Sequence, residues 1–224
     1  MSDEPRVQVH ADRASLATTG AMRFIAKLID LVEEFGEAKV VLTGGTMGEA
    51  VLEAVRTAPN VSAVPWGRVN VWWGDERWLP AGDVERNDTL ARRALLDHIP
   101  VDPARVHPMP ASDGGLDLDA AAIAYEAEIA AAAPSHLSLP PFDIVFLGVG
   151  PDGHVASLFP NADGVQERDR LVTPVRNSPK PPPERLSLTL PVINSSARVW
   201  MVLAGADKAS ALGLALAGAS IDEV

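Results

Sequence analysis

Three times in this chain a short apolar run rich in β-branched or aromatic residues stops at a polar or glycine-containing loop: "KVVLTGG" (39–45), "VNVWWGDERWLP" (69–80) and "FDIVFLGVG" (142–150). Helix-periodic segments surround them. "DRASLATTGAMRFIAKLIDLVEEFG" spaces its apolar residues at helical intervals, opens near Asp12 as a cap and stops at Gly36. "TMGEAVLEAVRT", "ERNDTLARRALLDHI" and "LDLDAAAIAYEAEIAAAA" also read as helices. "RLVTPV", "RLSLTL" and "RVWMVLAG" read as strands, and "ADKASALGLALAG" as a last helix. Strands alternating with helices leave few arrangements, and the pattern predicts an α/β fold whose mostly parallel sheet carries helices on both faces. Ligands in such sheets bind beyond the carboxyl ends of the strands, where the connections diverge. The loops "TGGT", "GDER" and "GVGPDGH" are predicted to meet there.

Composition narrows the function. A length of 224 residues suits a single α/β domain over 1–224, and 47% hydrophobic with 22% charged residues fits a chain that folds around a core. The formal net charge of −11 opposes general attraction to nucleic acid or anionic membrane, so an anionic ligand must meet a local cluster of Arg and Lys. With no cysteine, disulfides, thiolate nucleophiles and Cys-based zinc sites are excluded together. The five histidines are scattered without ligand spacing, so no metal is expected. The start has no basic segment followed by an apolar run, and no stretch of roughly 18 apolar residues exists to span a bilayer; a cytoplasmic location is expected. "RNSPKPPPER" (176–185), proline-rich and basic between two strands, reads as a surface loop or lid.

The loop "LGVGPDGHVASLFP" (147–160) matches the G-x-G-x-x-G dinucleotide pattern by letter. A pyrophosphate turn needs converging N–H groups and no adjacent carboxylate. Here Pro151 removes a donor, Asp152 adds negative charge, and Pro160 cuts short any helix starting near His154. The glycines instead let the strand end turn sharply and expose Asp152 and His154 above the sheet edge. A carboxylate beside an imidazole fixes its tautomer and raises its basicity, which suits general-base work. The competing reading is a turn in which Asp152 caps the following helix and His154 only packs.

Two further loops bear on this choice. Gly44, Gly45 and Thr46 stand between a strand and a helix, where N–H groups and the helix dipole accept a phosphate monoester, although a plain tight turn fits the same letters. No Gly-Lys-Ser/Thr follows, which argues against nucleoside triphosphate hydrolysis. Asp75, Glu76 and Arg77 follow an apolar strand. They read either as a solvated charge run or as a site in which Arg77 grips an anion bidentately.

Together "LTGGT", "GDER" with "ERNDTLARRALL", "FDIVFLGVGPDGHVASLFP", "RLSLTLP" and "GADKA" resemble, in order and spacing, the 6-phosphogluconolactonase family within the wider glucosamine-6-phosphate deaminase and isomerase superfamily. The resemblance implies a Rossmann-like α/β fold, no cofactor, and hydrolysis of 6-phospho-D-glucono-1,5-lactone in the pentose phosphate pathway. The partner it implies is a small sugar-phosphate lactone; the charge and composition above predict no nucleic acid and no membrane, and a monomer is favoured. It implies His154 as general base with Asp152 beside it, and Asp75 near the sugar ring. Gly44, Gly45 and Thr46 would cradle the phosphate, Arg77, Arg185 and Lys208 would supply positive charge, and Asn87 at a helix start would reach the same pocket. Family members usually continue past the helix ending near Gly218 into a further strand; this sequence stops at Val224, so the resemblance does not define the closing edge of the sheet. Deaminases of the superfamily carry an acid after the Gly-His pair where this chain has "ASLFP", which disfavours ring opening. A non-catalytic sugar-phosphate sensor is disfavoured because the N-terminus holds no basic helix-turn-helix.

Overall fold

The first helix begins and ends where its capping residues dictate. In the computed structural model, which describes residues 5–220, α1 spans Arg13–Phe35. Asp12 accepts the Ser15 N–H at 2.7 Å while Ser15 Oγ accepts the Asp12 N–H at 3.1 Å, a reciprocal capping box. Gly36 closes the helix by donating its N–H to Val32 O. Ala17, Ala21, Phe24, Ile25, Leu28 and Leu31, three or four apart, form the buried stripe.

Four strands follow in parallel: β1 (Ala38–Leu42), β2 (Val69–Trp73), then β4 (Ile144–Leu147) and β7 (Val199–Met201), in the order β2-β1-β4-β7. Their period-two alternation divides the core. Val40, Leu42, Val71, Trp73, Ile144 and Phe146 face the cluster built on α1 and α2 (Gly45–Thr57). Val41, Trp72, Val145 and Leu147 face the cluster holding Leu118, Ala121, Tyr125 and Ile129 of α4 (Leu118–Ala131). Because both faces are covered, the strands read as continuous apolar runs. At the β7 edge the burial ends: Val199 and Met201 are exposed, while Trp200 packs edge-on against Phe146 at 5.5 Å. Any strand beyond α7 (Ala209–Leu216) would fall outside the described residues.

The remaining strands depart from the sequence reading. "GDER" is predicted to be a polar loop, yet Asp75–Arg77 form β3, the first strand of a separate antiparallel sheet β3-β6-β5, with β5 at Val172–Val175 and β6 at Arg185–Leu188. Only Gly74 separates β2 from β3. Its N–H donates to Leu42 O in the large sheet and its carbonyl accepts the Leu188 N–H of the small one. The segment "ERNDTLARRALLDHI" gives a shorter helix than expected, α3 at Asn87–Ala94, because Leu95 leaves helical geometry (φ −144°, ψ −54°) and a single 3-10 turn, Leu96–His98, follows. Lys208 likewise ends a 3-10 turn (Ala206–Lys208) before α7. Two short helices, α5 (Asp163–Gln166) and α6 (Leu190–Ser195), carry too few residues to show a period. Among the described residues no helix is long and apolar enough to cross a membrane.

Candidate active site

Since the four strands of the large sheet run parallel, their carboxyl ends lie along one edge, and the loops after Leu42, Trp73, Leu147 and Met201 gather there. The loop after β4 folds back on itself. Gly150 N–H donates to His154 O at 2.9 Å and Gly153, at φ +86°, donates to Gly150 O at 3.1 Å. A Cβ at Gly150 would overlap the His154 ring and the Asp152 carboxylate, so only glycine lets the two side chains close over the backbone there. No helix follows for Asp152 to cap; the next begins at Asp163. Instead Asp152 Oδ1 lies 2.6 Å from His154 Nδ1, and the imidazole rests on Phe159 with centroids 4.5 Å apart.

A contact of 2.6 Å between a carboxylate oxygen and a ring nitrogen requires a proton between them. In the neutral ring that proton sits on Nδ1 and the lone pair on Nε2. Among the described residues no hydrogen-bonding partner reaches Nε2. Burial lowers the His154 pKa below the usual histidine value, Lys180 acts in the same direction, and Asp152 and Asp75 oppose them. Burial alone would push Asp152 up, but the His154 hydrogen bond, with Lys180 nearby, holds it below the usual carboxylate range.

The second group centres on β3. Asp75, 5% exposed, accepts the Ser157 hydroxyl at 2.7 Å through Oδ2, and its carbonyl accepts Asn87 Nδ2 at 2.8 Å. Ser157 Oγ is also 3.4 Å from Arg185 Nη1. "GDER" is therefore no solvated charge run. Glu76, 1% exposed, accepts the N–H groups of Asn87 and Asp88 at 2.7 and 2.9 Å and so caps α3. Asn87 begins α3 as expected and is buried, its Nδ2 bonded to the Asp75 carbonyl and its Oδ1 without a hydrogen-bond partner among the described residues. A Cβ on Gly44 would collide with that side chain, which ties the first loop to the second. Thr43 Oγ1 accepts the Gly148 N–H at 3.3 Å and ties the first to the third.

Arg77 and Arg185 are direct cross-strand partners on β3 and β6. Arg77 is half-buried, donates through Nη1 to Glu85 O, and has a buried Nε without a partner. Arg185 is more committed than the sequence reading implies. It is 4% exposed, donates to the carbonyls of Lys180, Pro181 and Pro182 at 3.1–3.2 Å, and stands over the Phe159 ring. Gly45 and Thr46 are exposed in the first turn of α2, whose N-cap Gly44 offers no side-chain cap. Lys208 pairs with Asp207 at 2.9 Å. Among the described residues no hydrogen bond or ion pair joins Thr46 or Lys208 to the His154 group.

Sequence reasoning missed Ser157, Lys180 and Phe159. Lys180, on the proline-rich loop, lies 3.4 Å from both Asp152 Oδ1 and His154 Nδ1. A cation in a loop read as a lid was the available signal for it; nothing local marked Ser157, whose partner Asp75 is 82 positions away. Among the described residues no group of three or more His, Cys, Asp or Glu side chains is placed to hold a metal ion.

Comparison with known proteins fits this arrangement. A family profile described as "Glucosamine-6-phosphate isomerases/6-phosphogluconolactonase" matches residues 11–224. A 6-phosphogluconolactonase of Streptomyces coelicolor is 52% identical over 223 residues, covering 98% of this chain and 85% of that protein. Among solved structures, a 6-phosphogluconolactonase from Trypanosoma cruzi superposes with a TM-score of 0.84 at 26% identity, covering 99% of this chain and 90% of that one. One from Thermotoga maritima gives 0.81 at 28%, covering 93% and 88%.

Proposed function

The chain belongs to the glucosamine-6-phosphate isomerase/6-phosphogluconolactonase family, and from that premise we propose that it hydrolyses 6-phospho-D-glucono-1,5-lactone to 6-phosphogluconate in the pentose phosphate pathway. In this reading residues 1–224 act as one domain in the cytoplasm, on a small diffusible sugar phosphate. The observation that carries the mechanism is the 2.6 Å contact between Asp152 and His154 Nδ1, which leaves Nε2 as the basic atom. His154 Nε2 takes a proton from water as that water attacks C1 of the lactone. The tetrahedral intermediate collapses by breaking the bond from C1 to the ring oxygen, and His154 returns the proton to that oxygen. One water is consumed, its hydroxyl bound to C1 and its proton on the former ring oxygen, and His154 returns to its neutral form. Asp152 keeps the ring oriented and stabilises its charge in the transition state.

Phosphate binding serves to position the ring of the substrate. Two guanidinium groups directly opposite on paired strands repel unless an anion joins them, which supports Arg77 and Arg185 as the positive edge of that site. Arg185 contributes chiefly charge, since the bonds to Ser157, Lys180, Pro181 and Pro182 leave it one N–H, on Nη1. Gly44, Gly45 and Thr46 supply the uncapped amides of α2, and Lys208 borders the same sheet edge. Asp75, fixed by Ser157 and Asn87, faces the sugar hydroxyls, and Asn87 acts through it.

The test is a coupled assay on freshly generated 6-phosphogluconolactone, corrected for spontaneous hydrolysis, run beside ammonia release from glucosamine 6-phosphate. Lactone hydrolysis without ammonia release is expected; the reverse would assign the chain to the other branch of its family.

A further inference from the structure

Resting on the reading of His154 as the base, we infer that Lys180 is a positioning residue for it: the proline-rich loop delivers an ammonium group to the oxygen that Asp152 shares with the imidazole, and so biases the ring toward its neutral form.

The geometry is built rather than incidental. Segment 176–184 joins β5 to β6 and folds over the loop after β4. Ser178 Oγ donates to Lys180 O at 2.8 Å and accepts its N–H at 3.2 Å, while Ser178 N–H donates to Pro183 O at 2.9 Å. Arg185 then takes the carbonyls of Lys180, Pro181 and Pro182, one after another. With its backbone held on both sides, Lys180 places Nζ 3.4 Å from Asp152 Oδ1 and 3.4 Å from His154 Nδ1.

Chemistry gives that position a consequence. Asp152 alone favours the imidazolium, because a carboxylate 2.6 Å away stabilises the charged ring more than the neutral one. A base that is already protonated cannot accept a proton from water. An ammonium on the same oxygen divides the field of Asp152 between two cations and repels a charge appearing on Nδ1. It therefore offsets the drawback of the Asp152 contact while leaving the Nδ1–H bond, and with it the orientation of Nε2, intact. The charged groups around the ring are Asp152 on its own loop, Lys180 on the 176–184 loop and Asp75 on β3; Arg185 of β6 stands on Phe159, which the imidazole also touches. Removing Lys180 leaves the two carboxylates opposed by burial and by the more distant Arg185. The ring then stays protonated to higher pH.

The experiment is an NMR titration of histidine-labelled protein, with the His154 signal identified by its loss in His154→Asn, in the wild type, Lys180→Met and Lys180→Arg. We expect Lys180→Met to raise the His154 midpoint by about half a pH unit, a modest size because the lysine is partly exposed, and Lys180→Arg to restore it. The acid limb of kcat/KM should move with it. An unmoved His154 midpoint in Lys180→Met would overturn the inference, and Lys180→Gln repeats the test should that variant fold poorly. If the ring midpoint moves while the acid limb does not, the influence of Lys180 on the ring stands and the assignment of His154 as the base falls.

Discussion

His154 joins three properties that general-base chemistry needs: an oriented ring, an Nε2 with no hydrogen-bonding partner among the described residues, and a pKa held below the ordinary histidine value by burial. A His154→Ala variant should lose roughly a hundredfold to ten-thousandfold in kcat with little change in product affinity; turnover at the wild-type level would remove the residue from the chemistry. With the neutral ring as the proposed active form and its pKa lowered by burial, the acid limb of kcat/KM should be centred below 6.5, the usual histidine value. A limb centred above that value would contradict the burial argument. Ser157→Ala probes the neighbouring group. It strips one acceptor bond from a buried Asp75 oxygen and one contact from Arg185, so a loss of about 1–3 kcal/mol in stability is expected. Denaturant titration measures it, and a loss below the error of that method would show that Asp75 finds another donor.

Helix α4 shares an apolar cluster with the small sheet, and one of its side chains makes several polar bonds at the edge of that sheet. Glu126 accepts Arg170 Nη2 at 3.0 Å and the N–H groups of Leu171 and Val172 at 2.8 and 3.0 Å, just where β5 begins. Glu126→Ala should cost about 2 kcal/mol and lower Tm by several degrees, while activity per folded molecule is retained, since the bonds lie away from His154. Loss of activity without loss of Tm would place α4 in the site instead. Such ties also explain what the sequence disclosed at this level. Helix α1 was legible to the residue, because Asp12 and Gly36 cap it through local bonds. The apolar strands were legible because two covered faces leave few polar positions, Lys39 in β1 and Asn70 in β2. Strand β3 was not: three charged residues read as a loop, and their burial depends on β6, a hundred positions on, and on Glu76 capping α3. The same reason divides the site. Asp152 and His154 are neighbours in sequence and stood out together, whereas Ser157 and Lys180 gain their meaning from partners on other elements.

Charge across the molecule sets its response to acid. At the start of β1, on the edge of the sheet opposite the site, Glu37 is held down to about 2 by its hydrogen bond to Lys39, with Arg105 and Asn70 adding to it. A carboxylate depressed in the folded state contributes stability that is present above its unfolded pKa and lost as pH falls through the folded one. Stability should therefore decline from the ordinary glutamate value of 4.5 toward about 2, and Glu37→Gln should flatten part of that decline in acid-unfolding curves. An unchanged slope would show that other carboxylates govern it. The molecule's two sheets share one apolar cluster, and their backbones join at the glycine between β2 and β3, whose N–H belongs to one sheet and whose carbonyl belongs to the other. His154 sits on the loop after β4 of the larger sheet and the paired arginines on β3 and β6 of the smaller. Repacking that shared cluster would tilt one sheet on the other about the glycine and so change the span from His154 to the two guanidinium groups, while leaving each end chemically whole.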